Sequence, residues 1–326
     1  MKRSFADKTE SIIQRQNPDG VRIVLANESM GVPTFDEAPR DELHDFIWHA
    51  MCEVPQIYTD RVIRNGELVK NTLNKVLPSR DLVYQGSVMT GTHIKGASDI
   101  DLLCLGTPSA HSTDPRVGWF LNMPTYRPAQ DRDKCVTALC NAGFYTVVQQ
   151  AKSIQVYTSR TATKVDVVNG TWQTNDRYQE NRKVSIYNHA KSVMEPGDYP
   201  FISIKKINDR SSLTNGRLKR MIRFLKNLRT ESDLGITVSS FELNAICYAI
   251  DPSIYVRADY IGLVDVLTRY IYNHVIITGS HPEKIPSVTG LEYPFSKNPA
   301  ALVELQRLYT NELFPIWDVL HKHGEF

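Results

Sequence analysis

The chain has 326 residues, of which 41% are hydrophobic and 23% charged, a composition that supports one large or two modest domains with a sizeable core. A net charge of +2 excludes a protein that coats nucleic acid by global basicity, so any anion site must be local. No run of about 18 apolar residues offers a membrane-spanning helix.

Near the start, Asp7, Lys8 and Glu10 interrupt any signal-peptide core. The cysteines, Cys52, Cys104, Cys135, Cys140 and Cys247, are odd in number and lack a CxxC, so neither a disulfide framework nor a zinc site is indicated. A reducing cytoplasm is the expected location.

The first forty residues are polar and mixed, with no clear period. From Arg40 to Leu77 the spacing of Leu43, Phe46 and Ile47, then Leu68, Leu73 and Val76, predicts helix, ended by Pro78. Asp81–Gln85 reads as a short strand running into Gly86-Ser87, and Asp99–Leu105 as a buried strand. Four prolines make Gly106–Gln130 a loop. A helix over Asp131–Asn141, stopped by Gly143, precedes β-rich pieces at Tyr145–Gln149, Ile154–Thr158 and Thr163–Val168. After Pro196-Gly197 the pattern is helical, with helices expected at Gly216–Arg229, Ser240–Ile250, Ile261–Tyr272 and Pro299–His321. The expectation is therefore an α+β catalytic domain over residues 1–195 and a helical domain over residues 196–326.

The chemistry concentrates in Tyr84-Gln85-Gly86-Ser87, followed after eleven residues by Asp99-Ile100-Asp101. Residues two apart on a strand share a face, so Asp99 and Asp101 present paired carboxylates. Such a pair repels itself unless a cation neutralises it, and hard oxygen ligands suit Mg²⁺. Gly86 allows close backbone approach to a phosphate, and Ser87 adds a hydroxyl. A third carboxylate, Asp166, lies in Lys164-Val165-Asp166-Val167-Val168, 65 residues beyond Asp101. A charge inside so apolar a run is costly without a partner. Three acids suffice for two divalent ions, Mg²⁺ or Mn²⁺, about 3.5–4 Å apart. Should Asp166 be only a structural strand residue, Asp176 is the next acid along the chain.

Between Lys205 and Arg229 stand nine basic residues and one acid, Asp209. Leu218, Met221, Ile222, Leu225 and Leu228 form an apolar stripe, and Lys219, Arg223 and Lys226 share a neighbouring face suited either to solvent or to a triphosphate. Ser239-Ser240-Phe241-Glu242 fits a capping box with Ser239 as the cap.

The pattern Gly-Ser, spacer, Asp-x-Asp and a later lone Asp resembles the polymerase-β-like nucleotidyltransferases. The run Gly216–Lys226 followed by Ser239–Leu243 is similar to the helical half of the oligoadenylate synthase and cyclic GMP-AMP synthase group, whose bacterial members are the CD-NTases. The resemblance spans most of residues 40–275. It implies a bilobed fold, a mixed-sheet nucleotidyltransferase core plus a C-terminal helical lobe with the active site between them. By residue, it implies metal ligation by Asp99, Asp101 and Asp166, nucleotide-loop contacts by Gly86 and Ser87, and a triphosphate grip by Lys226 and Ser240, with Lys219 the alternative lysine. It further implies nucleoside triphosphate substrates, ATP among them, a cyclic di- or trinucleotide product of anti-phage defence, and a downstream effector that the product activates. No zinc-binding insertion of the animal DNA sensor is present, which argues against direct DNA binding.

His93 is expected to face solvent, Tyr187, Asn188 and His189 could line a base pocket, and His321 and His323 are spaced wrongly for a shared metal. Two other functions compete. A terminal transferase on RNA or a nucleotidylating toxin would need a long basic groove, which the net charge disfavours. A degenerate regulatory module would have lost a metal acid, yet all three are present.

Overall fold

The computed structural model describes residues 3–19, 41–96, 98–106, 128–160, 163–174, 176–195 and 197–326. Among them, in chain order, are α1 (Phe5–Gln16), α2 (Glu42–Met51), α3 (Gln56–Val76), β1 (Asp81–Gln85), β2 (Ile100–Gly106), α4 (Pro128–Asn141), β3 (Thr146–Gln149), β4 (Ile154–Tyr157), β5 (Lys164–Trp172), β6 (Val184–Asn188) and β7 (Val193–Met194). Then follow α5 (Pro200–Leu213), α6 (Arg217–Glu231), α7 (Ser240–Ala249), α8 (Pro252–Tyr255), α9 (Tyr260–Ile271), α10 (Pro294–Lys297), α11 (Pro299–Leu308) and α12 (Phe314–Lys322). The α+β class and mixed sheet expected from the sequence are present. Most of the proline-rich loop expected over Gly106–Gln130 lies outside the described residues. No described helix is long and apolar enough to cross a membrane.

The described residues form two compact units. One comprises Gln56–Met89 and Ala97–Lys205; the other comprises Met1–Pro55, Thr90–Gly96 and Lys206–Phe326. This division differs from the expected border at 195/196. The cause is burial: Ile12, Phe46, Ile47 and Ala50, from the first two helices, are fully inaccessible in the same core as Leu225, Leu228 and Leu263.

The first unit is built on a sheet of order β1-β2-β5-β4-β3, with β6 added to the far end of β5. β2 and β5 run parallel, and the other pairs are antiparallel. β2 is central and apolar, with Ile100, Leu102, Leu103, Cys104 and Leu105 all inaccessible. One of its faces packs with Val62, Val69 and Leu73 of α3 and Cys135 and Leu139 of α4. The other packs with Trp172 and Phe201. The apolar run Leu102–Leu105 that follows Asp101 is what two covered faces require.

The second unit is helical. Its α6 runs through the core and buries Leu218, Met221, Ile222, Leu225 and Leu228, the stripe expected from the 3.6 period.

Several elements differ from expectation. The helix expected over residues 40–77 is two, separated at Cys52–Pro55, with Asp41 capping α2 by accepting from the Leu43 and His44 amides. α1 was not expected; it starts on a reciprocal Ser4–Asp7 capping box, and its sequence is polar because much of what it buries, Lys8, Thr9 and Gln16, is polar. β5 extends to Trp172, and β6 and β7 are additional. The long C-terminal helix is interrupted, its hydrogen bonding widening over Tyr309–Leu313.

Candidate active site

Strand register gathers the acids. The parallel ladder sets Asp101 directly beside Asp166 and Ile100 beside Val165. Asp99 immediately precedes β2, so continuing the register brings it opposite Lys164. On the other side of β2, Gln85 at the end of β1 pairs with Asp101, and the chain then turns at Gly86. Gly86 has φ of 94°, and a Cβ there would lie 2.8 Å from Asp101 Oδ2. Glycine is required twice over, by the left-handed backbone and by the closeness of the carboxylate. Ser87, half-buried, follows at once. Gly86, Ser87, Asp99, Asp101 and Asp166 thus share the sheet-containing unit.

The electrostatics are those of crowded anions. Burial foremost, then the charges of Asp166 and Asp99, push the Asp101 carboxyl up to about 6, against the opposing pull of Lys164. The Lys164 ammonium lies 3.0 Å from Asp99 Oδ2 and 2.9 Å from Asp166 Oδ2. Its pKa is raised although burial works against the charge, because the bonds to Asp166 and Asp99 outweigh burial. The other oxygen of Asp166, Oδ1, accepts from the Ser153 hydroxyl at 3.1 Å.

The residues fit a divalent metal in two respects. The donors are carboxylate oxygens of the kind a hard cation takes, and a cation, the Lys164 ammonium, already bridges two of the three acids. Among the described residues, however, no three His, Cys, Asp or Glu side chains stand as a ready coordination sphere. The acids are gathered while Lys164 draws two of them onto itself.

Lys164 was missed in the sequence. The available signal was its position two residues before Asp166, which puts both side chains on one face of β5.

Lys219, Lys226 and Ser240 lie in the helical unit. Lys226 is 4% exposed, and its ammonium donates to the Thr92 carbonyl at 3.0 Å and the Thr92 hydroxyl at 3.2 Å. Burial, then the charges of Arg229 and Arg223, pushes it down to about 8. One turn earlier, Arg223 donates to the carbonyls of Met51 at 2.9 Å and Gly91 at 2.7 Å and pairs with Glu53 at 3.2 Å. Lys219 is half-buried, its ammonium against Gly91, and burial lowers its pKa. The basic face of α6 is therefore not a solvated flank: it backs the segment Gly91–Thr92. Ser239 caps α7 as expected, its side chain accepting from the Phe241 amide and bonded to Glu242, and Ser240 is the first residue of the helix.

Other expectations changed. His93 is buried, not solvent-facing. Tyr187 and Asn188 are also buried, and Asn188 donates to Glu195 at 2.7 Å, so the pair secures the β6–β7 turn. His321 stacks on Trp317.

The family model described as the cGAS/DncV-like nucleotidyltransferase C-terminal helical domain matches residues 205–317. A c-di-GMP synthase of Lachnospiraceae bacterium (strain RUG226) is 34% identical over 336 residues, covering 93% of this chain and 95% of its own length. A c-di-GMP synthase of Capnocytophaga granulosa is 30% identical, with 99% of each chain covered. The solved structure of a STING-associated CdnE c-di-GMP synthase from Capnocytophaga granulosa superposes with a TM-score of 0.84 at 32% identity, covering 98% of this chain and 100% of that one. With relatives this similar along nearly their whole length, a matching fold and the acids gathered on adjacent strands, the chain belongs to the CD-NTases, the cyclic-oligonucleotide-synthesising branch of the polymerase-β-like nucleotidyltransferases.

Proposed function

We propose that this enzyme joins two molecules of GTP into cyclic di-GMP with release of two pyrophosphates, in the cytoplasm, as the signal of an anti-phage defence system read by a separate effector protein. The observation that carries the guanine assignment is the likeness to several c-di-GMP synthases along nearly their full length. It replaces the ATP expected from the broader resemblance.

Asp99, Asp101 and Asp166 would hold Mg²⁺, with Mn²⁺ able to replace it. The bound ion supplies charge neutralisation at the reacting phosphate and lowers the pKa of an attacking hydroxyl. The chain's own groups do the rest. Gly86 brings backbone amides close to the phosphates, and Ser87 donates its hydroxyl to them. Lys226 is a buried cation whose partners are the neutral oxygens of Thr92, an arrangement that favours an arriving anion. Lys219 and the first turn of α7 at Ser240 add further donors for the triphosphate. Asp166, beside Asp101 in the ladder, is assigned to the attacking 3′-hydroxyl of the acceptor nucleotide. Cyclisation repeats the same bond formation once the linear intermediate has turned over in the site.

Incubating the purified protein with Mg²⁺ and labelled GTP or ATP tests this reading. GTP alone should give a phosphatase-resistant product with the mass of cyclic di-GMP, and EDTA should abolish it. A product that requires ATP, or label transferred to RNA or protein, would overturn it.

A further inference from the structure

We propose that Lys164 is a built-in counter-cation, which holds the acidic cluster together in the metal-free enzyme and must be displaced from Asp166 before a divalent ion can bind there. The proposal rests on the reading of Asp99, Asp101 and Asp166 as metal ligands.

Its geometry comes from two facing motifs. Lys164-Val165-Asp166 on β5 runs parallel to Asp99-Ile100-Asp101 entering β2, with Asp101 beside Asp166. The two near-face pairs are thus Asp101 with Asp166, which repels, and Asp99 with Lys164, which attracts. Lys164 also reaches along its own strand to Asp166, at 2.9 Å. Both oxygens of Asp166 are then committed, Oδ2 to Lys164 and Oδ1 to Ser153.

A divalent cation approaching Asp166 meets an ammonium already there, and two positive charges at contact distance cannot share one carboxylate without cost. The two arms of the bridge are unequal. The Asp99 side chain is 54% exposed, whereas that of Asp166 is 14% and that of Lys164 is 18%. Water screens the Asp99 arm and leaves the Asp166 arm as the stronger hold. Lys164 therefore opposes metal at the acid assigned to the attacking hydroxyl more than at Asp99. It is a positioning residue that sets how much metal the site requires.

The test is a Mn²⁺ titration of the whole protein with a non-hydrolysable GTP analogue, read by the free-Mn²⁺ resonance signal and by thermal melting. Wild type is compared with K164Q, K164R and the double variant D99A/D101A. K164Q should half-saturate at a Mn²⁺ concentration at least about fivefold lower than wild type, from loss of one competing charge. It should also melt below wild type in EDTA at neutral pH, because three acids are left uncompensated. K164R, which keeps the charge, should match wild type in both. An unchanged or higher Mn²⁺ midpoint for K164Q, or an unchanged melting point in EDTA, overturns the proposal. If K164Q does not fold without metal, its cooperative transition should return on adding Mn²⁺; failure to return at saturating Mn²⁺ overturns it equally. Should wild type and D99A/D101A take up Mn²⁺ alike, the metal reading itself fails, an outcome distinct from a failure of Lys164 alone.

Discussion

At Gly86 a single hydrogen separates the backbone turn from a carboxylate. Gly86→Ala would force a side chain into left-handed backbone, at about 1–2 kcal/mol, and set its Cβ 2.8 Å from Asp101 Oδ2. The expected result is a folded protein with synthesis reduced at least about tenfold, the loss that one misplaced group of this energy produces; normal turnover would place the nucleotide loop elsewhere. Asp101 gives a second expectation, of pH dependence. Its ordinary value is 3.8, and in the fold it is pushed up to about 6. The folded state thus keeps a proton that the unfolded chain releases, so the carboxyl costs stability progressively as pH rises from about 4 to 6. In EDTA, Asp101→Asn should melt higher than wild type at pH 7, with the gap closing toward pH 4. A gap of the same size at both values would mean that crowding is not its cause. Asp166→Asn should bind a non-hydrolysable GTP analogue with Mg²⁺ about as well as wild type, yet lower kcat by at least roughly a hundredfold, or about 2.7 kcal/mol of barrier. The types and spacing of these acids were legible in the sequence. Lys164 was not, because its link to Asp99 exists only once β2 and β5 are laid side by side.

Among the elements, β1 to β5 and the most apolar helices declared themselves by period, whereas β6, β7 and the polar α1 did not. β1 was read to the residue. α6 showed its stripe, but nothing in its period said that Arg223 and Lys226 would turn inward onto carbonyls of Gly91 and Thr92. α1 was silent because one of its anchors is an ion pair, Lys8 with Glu312 at 2.8 Å, both about 3–4% exposed and 304 residues apart in sequence. Glu312 also accepts from the Ser232 hydroxyl at 3.0 Å. Removing one member of a buried pair leaves the other uncompensated, so Glu312→Ala should cost about 3–5 kcal/mol, read as a lowered denaturant midpoint. The double change of Lys8→Met with Glu312→Leu should recover most of that loss. If the single variant is as stable as wild type, this ion pair is not what holds α1.

At the scale of the whole chain, the two compact units differ in membership from the domains that periodicity suggests. A reader of periodicity assigns α1 and α2 to the half they precede, whereas burial assigns them to the helices at the other end. Phe46 and Ile47 are inaccessible in a core that they share with residues of α6, α7 and α9. Deleting residues 1–55 should therefore abolish the cooperative melting of the helical unit, not merely subtract two helices from the circular dichroism. A deletion variant that keeps a sharp transition would contradict this dependence. The same discontinuity has a consequence for biosynthesis. On the ribosome the sheet unit has all its segments once Lys205 has emerged, whereas α1 and α2, made first, must wait for nearly the entire chain before their own core can close. Through that interval the faces of α1 and α2 that α6 and α9 cover in the folded protein stand open.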